Sequence, residues 1–195
     1  MIILKHNITK EVKDYLNEYK PEKFYSYALF RNIYKDAEVS YESFRKVLVR
    51  LEHKGLLKSI CKGIYENING YDSDYLKNEF VNNDKGVFVD INKIVGEPNC
   101  THNAIFTSIA GSNGLYLPDN TKVFKCDIEY NESNRNLIKI LYSYKRLDFI
   151  MFVHNPALIE LFKANFNIDV FITISNLLNI KESSIRFLLN LLDNN

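Results

Sequence analysis

Apolar positions recur with helical spacing through the first 55 residues and in an extended pattern just beyond them. Val12, Tyr15, Leu16 and Tyr19 stand at i, i+3, i+4 and i+7, on one face of a helix. Thr9 is the expected cap of this first helix, and it must stop before Pro21, because the residue preceding a proline disfavours helical backbone. A second, shorter helix is predicted after Ser26, with Phe30, Ile33 and Tyr34 on one side, giving out in the polar run 35–38. Ser40 opens the third and strongest, whose stripe is Phe44, Val47, Leu48 and Leu51, with Gly55 where a C-terminal cap belongs. From Leu56 to Glu66 the pattern becomes extended, and Gly63 supplies the backbone freedom of a hairpin turn. Three short helices and a two-stranded hairpin are the order of a winged helix-turn-helix, expected to occupy residues 1–67.

Residues 67–74, made of Asn, Gly, Tyr, Asp and Ser with one Ile, are turn-rich and read as a domain boundary. Beyond it, strands are predicted at 87–91, 122–128, 147–153 and 170–174, and helices at 101–111, 134–145, 156–166 and 182–192. In the helix at 156–166, Asn155 is the expected cap and Pro156 the first helical residue. Such alternation predicts a mixed α/β C-terminal domain over 75–195, and the chain as a whole reads as α+β.

Composition sharpens this picture. The chain is 46% hydrophobic and 25% charged, enough apolar surface to fold without wholesale disorder. Only four apolar residues, Met1 to Leu4, precede Lys5, too few for a signal peptide or membrane span, so a cytoplasmic protein with no membrane partner is expected. Cys61, Cys100 and Cys126 are odd in number and widely spaced, which argues against a disulfide framework or a structural zinc site. The net charge of +1 hides an asymmetry. Residues 1–67 hold 13 Lys/Arg against 9 Asp/Glu, a balance of +4, whereas 68–195 hold 12 against 15, a balance of −3.

The positive part concentrates on the third helix. With the apolar stripe turned inward, its other side carries Glu42, Arg45, Lys46, Val49, Arg50 and His53. Arg45, Lys46 and Arg50 can reach phosphates or guanine edges in a major groove, and Ser40, Tyr41 and Ser43 at the helix start can donate to phosphate oxygens. Lys54, Lys58 and Lys62 follow on the hairpin, with Lys62 at its tip beside Gly63. A solvated face would carry similar charges; the agreement of helix order, hairpin and local charge points instead to double-stranded DNA.

Arg45, Leu48, Arg50, Leu51, Lys54, Gly55, Lys62, Gly63 and Tyr65 occupy the positions of a pattern that resembles the N-terminal winged helix of AbiEi-type antitoxins and regulators. The resemblance covers about a third of the chain. It implies a transcriptional repressor that binds its own promoter and answers to a nucleotidyltransferase-like toxin in a type IV toxin–antitoxin, or abortive infection, system. The C-terminal domain would then dimerise or bind that toxin. The family's characteristic run early in its second domain has its nearest counterpart at 111–118, which departs from it, so only the DNA contacts are carried over.

The chain has no glycine-rich dinucleotide fingerprint, P-loop, zinc-protease motif or nucleophile elbow, so neither enzymatic activity nor a cofactor is expected. Cys100 and His102 at an expected helix start are two apart and would not face each other. Asp119, Asp127 and Glu129 around an expected strand weakly suggest a metal-dependent nuclease, but Tyr130 and Asn131 follow where such sites place a lysine. A DNA-processing enzyme targeted by a winged helix and a protein-docking module are the two alternatives.

Overall fold

The chain enters its first helix, α1 (Ile8–Tyr19), at Asn7 rather than at the expected Thr9: the Asn7 side chain accepts a hydrogen bond from the Lys10 N–H at 3.2 Å. The computed structural model describes residues 7–35, 39–82, 85–91, 103–111, 113–147 and 152–193. Lys20 leaves α1 with a left-handed backbone (φ 43°), and Pro21 follows as expected. A short strand not anticipated from the sequence comes next, β1 (Lys23–Tyr25), leading into α2 (Ser26–Ile33), α3 (Tyr41–His53), β2 (Leu57–Cys61) and β3 (Ile64–Asn67). The three strands form an antiparallel sheet in the order β1-β3-β2. Val12, Leu16, Phe24, Leu29, Phe44, Val47, Leu48 and Leu51 fill the core beneath it, so the stripe of α3 faces inward as its spacing predicts.

Residues 67–74 are not a slack connection. The Glu22 N–H donates to the Asp72 carbonyl at 3.0 Å, and the Tyr71 and Asp72 N–H groups donate to the Lys20 carbonyl. Gly70 permits this approach, since a Cβ there would lie 1.9 Å from the Pro21 carbonyl oxygen. A helix with no clear mark in the sequence, α4 (Tyr75–Val81), then packs on β1. Its Glu79 carboxylate accepts the Tyr25 N–H at 3.0 Å, satisfying an edge-strand donor that β3 leaves unused.

The second sheet runs β4-β5-β7-β6, from β4 (Gly86–Val89), β5 (Ala104–Thr107), β6 (Leu115–Tyr116) and β7 (Lys122–Lys125). Only the central β5/β7 pair is parallel. Period-two alternation gives this sheet two buried faces. Val87, Val89, Ala104, Phe106 and Phe124 pack with the helices α5 (Glu132–Arg146), α6 (Pro156–Ala164), α7 (Ile168–Leu177) and α8 (Glu182–Asp193). Ile105, Leu115 and Val123 pack instead against Tyr25, Ala28, Ile64, Leu76 and Phe80. One apolar cluster therefore joins side chains from both sides of residues 67–74, with α4 packed on strands of both sheets.

Several expectations are corrected. The helix at 101–111 is the strand β5; all four of its residues are buried, and a central strand covered on both faces shows a continuous apolar run that also fits a helix. The strand at 170–174 is part of α7, where Asn167 caps the Asp169 and Val170 N–H groups and packing of Val170, Phe171 and Ile174 overrides their β-preference. The strand at 122–128 stops at Lys125. Of the strand at 147–153, residues 148–151 lie outside the described residues, Leu147 caps α5, and Phe152 and Val153 are helical. Cys100 and His102 also lie outside the described residues. The cap at Asn155 and Pro156 at the first helical position are as expected. Among the described residues, no helix is long and apolar enough to cross a membrane.

Candidate nucleic-acid interface

The exposed face of α3 is built from its N-terminus outward. Ser40 caps the helix by accepting the Ser43 N–H at 3.2 Å, and its hydroxyl donates to the Ser43 hydroxyl at 2.9 Å. Tyr41 is held by its ring neighbours, Tyr27 and Phe30 at 5.4 and 5.3 Å, and by a 2.9 Å hydrogen bond between its hydroxyl and that of Ser26. Phe44 packs against Phe30 and Tyr34, locking α3 onto α2. These contacts fix the rotation of α3, so that Glu42, Arg45, Lys46, Val49, Arg50 and His53 all emerge into solvent.

The electrostatics of this face are nearly all positive. Glu42 is the only acidic side chain fully exposed on it, and the hydrogen bond and charge of Lys46, 2.9 Å away, hold its carboxyl below the usual carboxylate range. An exposed pair of this kind contributes little and is readily exchanged for a phosphate. The Arg50 Nε donates to the Lys46 carbonyl at 3.2 Å, orienting the guanidinium along the helix. Arg45 lies close enough to Tyr65 for its charge to oppose burial and the Glu52 carboxylate, which together push the Tyr65 hydroxyl up. Val49, 43% exposed, is an apolar side chain at the centre of this cationic face.

The structure brings Ser40, Tyr41, Ser43, Arg45, Lys46 and Arg50 onto one helix, and the exposed Lys54 follows directly on its end. Lys58 is exposed on β2, whose Ser59 N–H donates to the Glu52 carboxylate at 3.0 Å and so ties strand to helix. Lys62 occupies the β2–β3 turn with Gly63, whose φ of 77° requires glycine there. That turn does not project freely. The Ser26 N–H donates to the Gly63 carbonyl at 2.8 Å, and a Cβ at Gly63 would meet the Tyr25 ring at 3.0 Å.

The acidic candidates are not brought together. Asp127 and Glu129 are exposed beyond the end of β7 rather than sharing a strand face. Asp119 pairs with Lys77 at 3.2 Å and accepts the Thr121 N–H; burial pushes its carboxyl up, but these partners outweigh that and hold it low. Among the described residues, no group of three or more His, Cys, Asp or Glu is arranged to hold a metal ion. Cys126 is a buried thiol that loss of water pushes up to about 11, which makes it unreactive, and Cys61 is partly buried. In comparison with known proteins, no family model and no curated protein matches the chain.

Proposed function

We propose that residues 1–67 form a winged helix-turn-helix that binds double-stranded DNA through α3, and that the chain is a non-enzymatic transcriptional regulator. The carrying observation is the solvent face of α3, where Arg45, Lys46 and Arg50 surround Val49 on a helix held rigidly by its aromatic neighbours. The element order α1, β1, α2, α3, β2, β3, with strands in the order β1-β3-β2, supports the same reading. Arg45, Lys46 and Arg50 would approach bases and phosphates in the major groove, and Val49 could contact a thymine methyl group there. Lys54, Lys58 and Lys62 would hold the flanking backbone, with Ser40, Tyr41 and Ser43 donating to phosphate at the helix start.

The resemblance to AbiEi-type antitoxins extends the proposal to an autorepressor acting in the cytoplasm on its own promoter. Residues 75–195 would then dimerise or bind a nucleotidyltransferase-like toxin. The test is a fluorescence-anisotropy titration of the full chain against a duplex from its own upstream region and a shuffled duplex of equal composition. Between about 50 and 200 mM salt, affinity for the upstream duplex should fall by at least about 100-fold, and that duplex should be preferred at every salt concentration. Absence of binding to either duplex would leave the cationic face to protein docking.

A further inference from the structure

A second feature lies beside α3 rather than on its outer face. The β2–β3 turn and the loop preceding β6 enclose a groove of about 600 Å³, within the range of small-ligand sites, roughly 300–1,000 Å³. Its chemistry is one-sided. Arg45, Lys62 and Lys125 line it, and among the described residues no acidic side chain does. None of these three cations has an ion-pair partner among the described residues. Five tyrosines line it too, and of these Tyr116 is the exposed one, at 52%.

The walls are fixed. The Gly111 N–H donates to the Tyr25 hydroxyl at 3.0 Å, the Cys61 thiol donates to the Tyr116 carbonyl at 3.6 Å, and the Asn113 side chain accepts the Lys125 N–H at 2.6 Å. A groove with three cations outside any ion pair among the described residues and an exposed aromatic ring matches a ligand that is both anionic and planar. Cations along a backbone path and aromatic side chains for bases are the common elements of nucleotide recognition.

We propose that this groove binds a mononucleotide, with its phosphate on Arg45, Lys62 and Lys125 and its base on the exposed Tyr116 ring, which already carries the Lys122 ammonium 5.8 Å from its centroid. Occupancy also weakens DNA binding, a coupling that rests on the regulatory reading above: Arg45 and Lys62 cannot serve a bound nucleotide and a DNA backbone together. The same chemistry could be supplied by a nucleotide within a DNA strand that runs through the groove, and the test separates the two sources.

Isothermal titration calorimetry of the full chain, without DNA, uses AMP, GMP, CMP and TMP separately, with the matching nucleosides and inorganic phosphate as controls. At least one mononucleotide should bind one to one with a Kd below about 1 mM, and its nucleoside and free phosphate at least about tenfold more weakly. Lys125→Ala and Tyr116→Ala, both at exposed positions outside the proposed DNA contacts, should each weaken it by about tenfold without changing the melting temperature. At saturation the nucleotide should raise the Kd for the upstream duplex severalfold, while Lys125→Ala alone leaves that Kd unchanged. The assignment is overturned if no mononucleotide binds, if phosphate alone binds as well, or if neither variant alters binding. It is also overturned if Lys125→Ala weakens duplex binding by the same factor, which would make the groove a DNA track. Nucleotide binding without any duplex binding would overturn the DNA reading and leave the ligand site standing.

Discussion

Replacing Arg45, Lys46 and Arg50 together by alanine is expected to weaken binding to the upstream duplex by about 100-fold or more while leaving the fold intact. Hydrogen bonds from cations to phosphate or to guanine contribute about 1–3 kcal/mol each, so removing three costs about 3 kcal/mol or more. The salt dependence should change with it: each phosphate left without its cation lowers the slope of log K against log salt by about 0.9, so the variant's slope should be shallower by about 2–3. Stability should hardly move. All three side chains are exposed, and the ion pair that disappears, Lys46 with Glu42, is a fully exposed i,i+4 pair that contributes little. Anisotropy titrations at several salts, with a melting curve for each protein, check both halves. A variant that melts like the wild type and binds as tightly would remove α3 from the interface.

Stability should fall as pH rises from about 5 to about 8, and Glu79→Gln should abolish that dependence. Glu79 is partly buried as a residue, but its carboxyl is sheltered under β1, and that burial pushes it up to about 8, against the opposing pull of the Tyr25 N–H, the Tyr75 hydroxyl and the Lys85 charge. The folded chain therefore holds a proton on Glu79 over a pH range in which the unfolded chain has released it. Stability attached to that proton is fully present below the unfolded value of 4.5 and is lost as pH climbs through the folded value of about 8. The slope is at most about 1.4 kcal/mol per pH unit, and local relaxation will reduce it. Glutamine keeps the acceptor for the Tyr25 N–H and carries no charge, so at pH 9 the variant should be more stable than the wild type by about 2 kcal/mol or more. Denaturant unfolding of both proteins from pH 5 to pH 9 reads the difference, which cancels the other titrating groups. Parallel curves would mean that Glu79 is ionised in the folded protein.

The residues behind these two effects differ in how visible they are in the sequence. The α3 face can be read directly, because four inward apolar residues at helical spacing fix where every other side chain of that helix must lie, and Ser40 and Gly55 mark its ends. Glu79 could not be read. It sits in a seven-residue helix within a polar stretch, and its importance comes from β1, a three-residue strand with no alternation long enough to detect. The groove beside α3 is equally hidden, since Tyr27, Arg45 and Lys62 meet Tyr116 and Lys125 from the far side of residues 67–74 only in the folded chain.

The second half of the chain misleads for a related reason. Its sheet is covered on both faces, so β5 loses the in-out alternation that marks a strand, while the β-branched residues of α7 imitate one. Likewise, the turn-rich residues 67–74 read as a boundary, but a glycine among turn formers also suits a tight backbone approach, as Gly70 makes to Pro21.

The central claim, that α3 and the β2–β3 hairpin face duplex DNA, is tested most directly by mapping amide chemical shifts of the isotope-labelled chain during titration with the upstream duplex. The expected result is a continuous set of perturbed amides over residues 40–62, centred on Arg45, Lys46 and Arg50, with α5 to α8 unchanged. Perturbations confined to α5 to α8, or none at a duplex concentration that saturates a nonspecific binder, would contradict it.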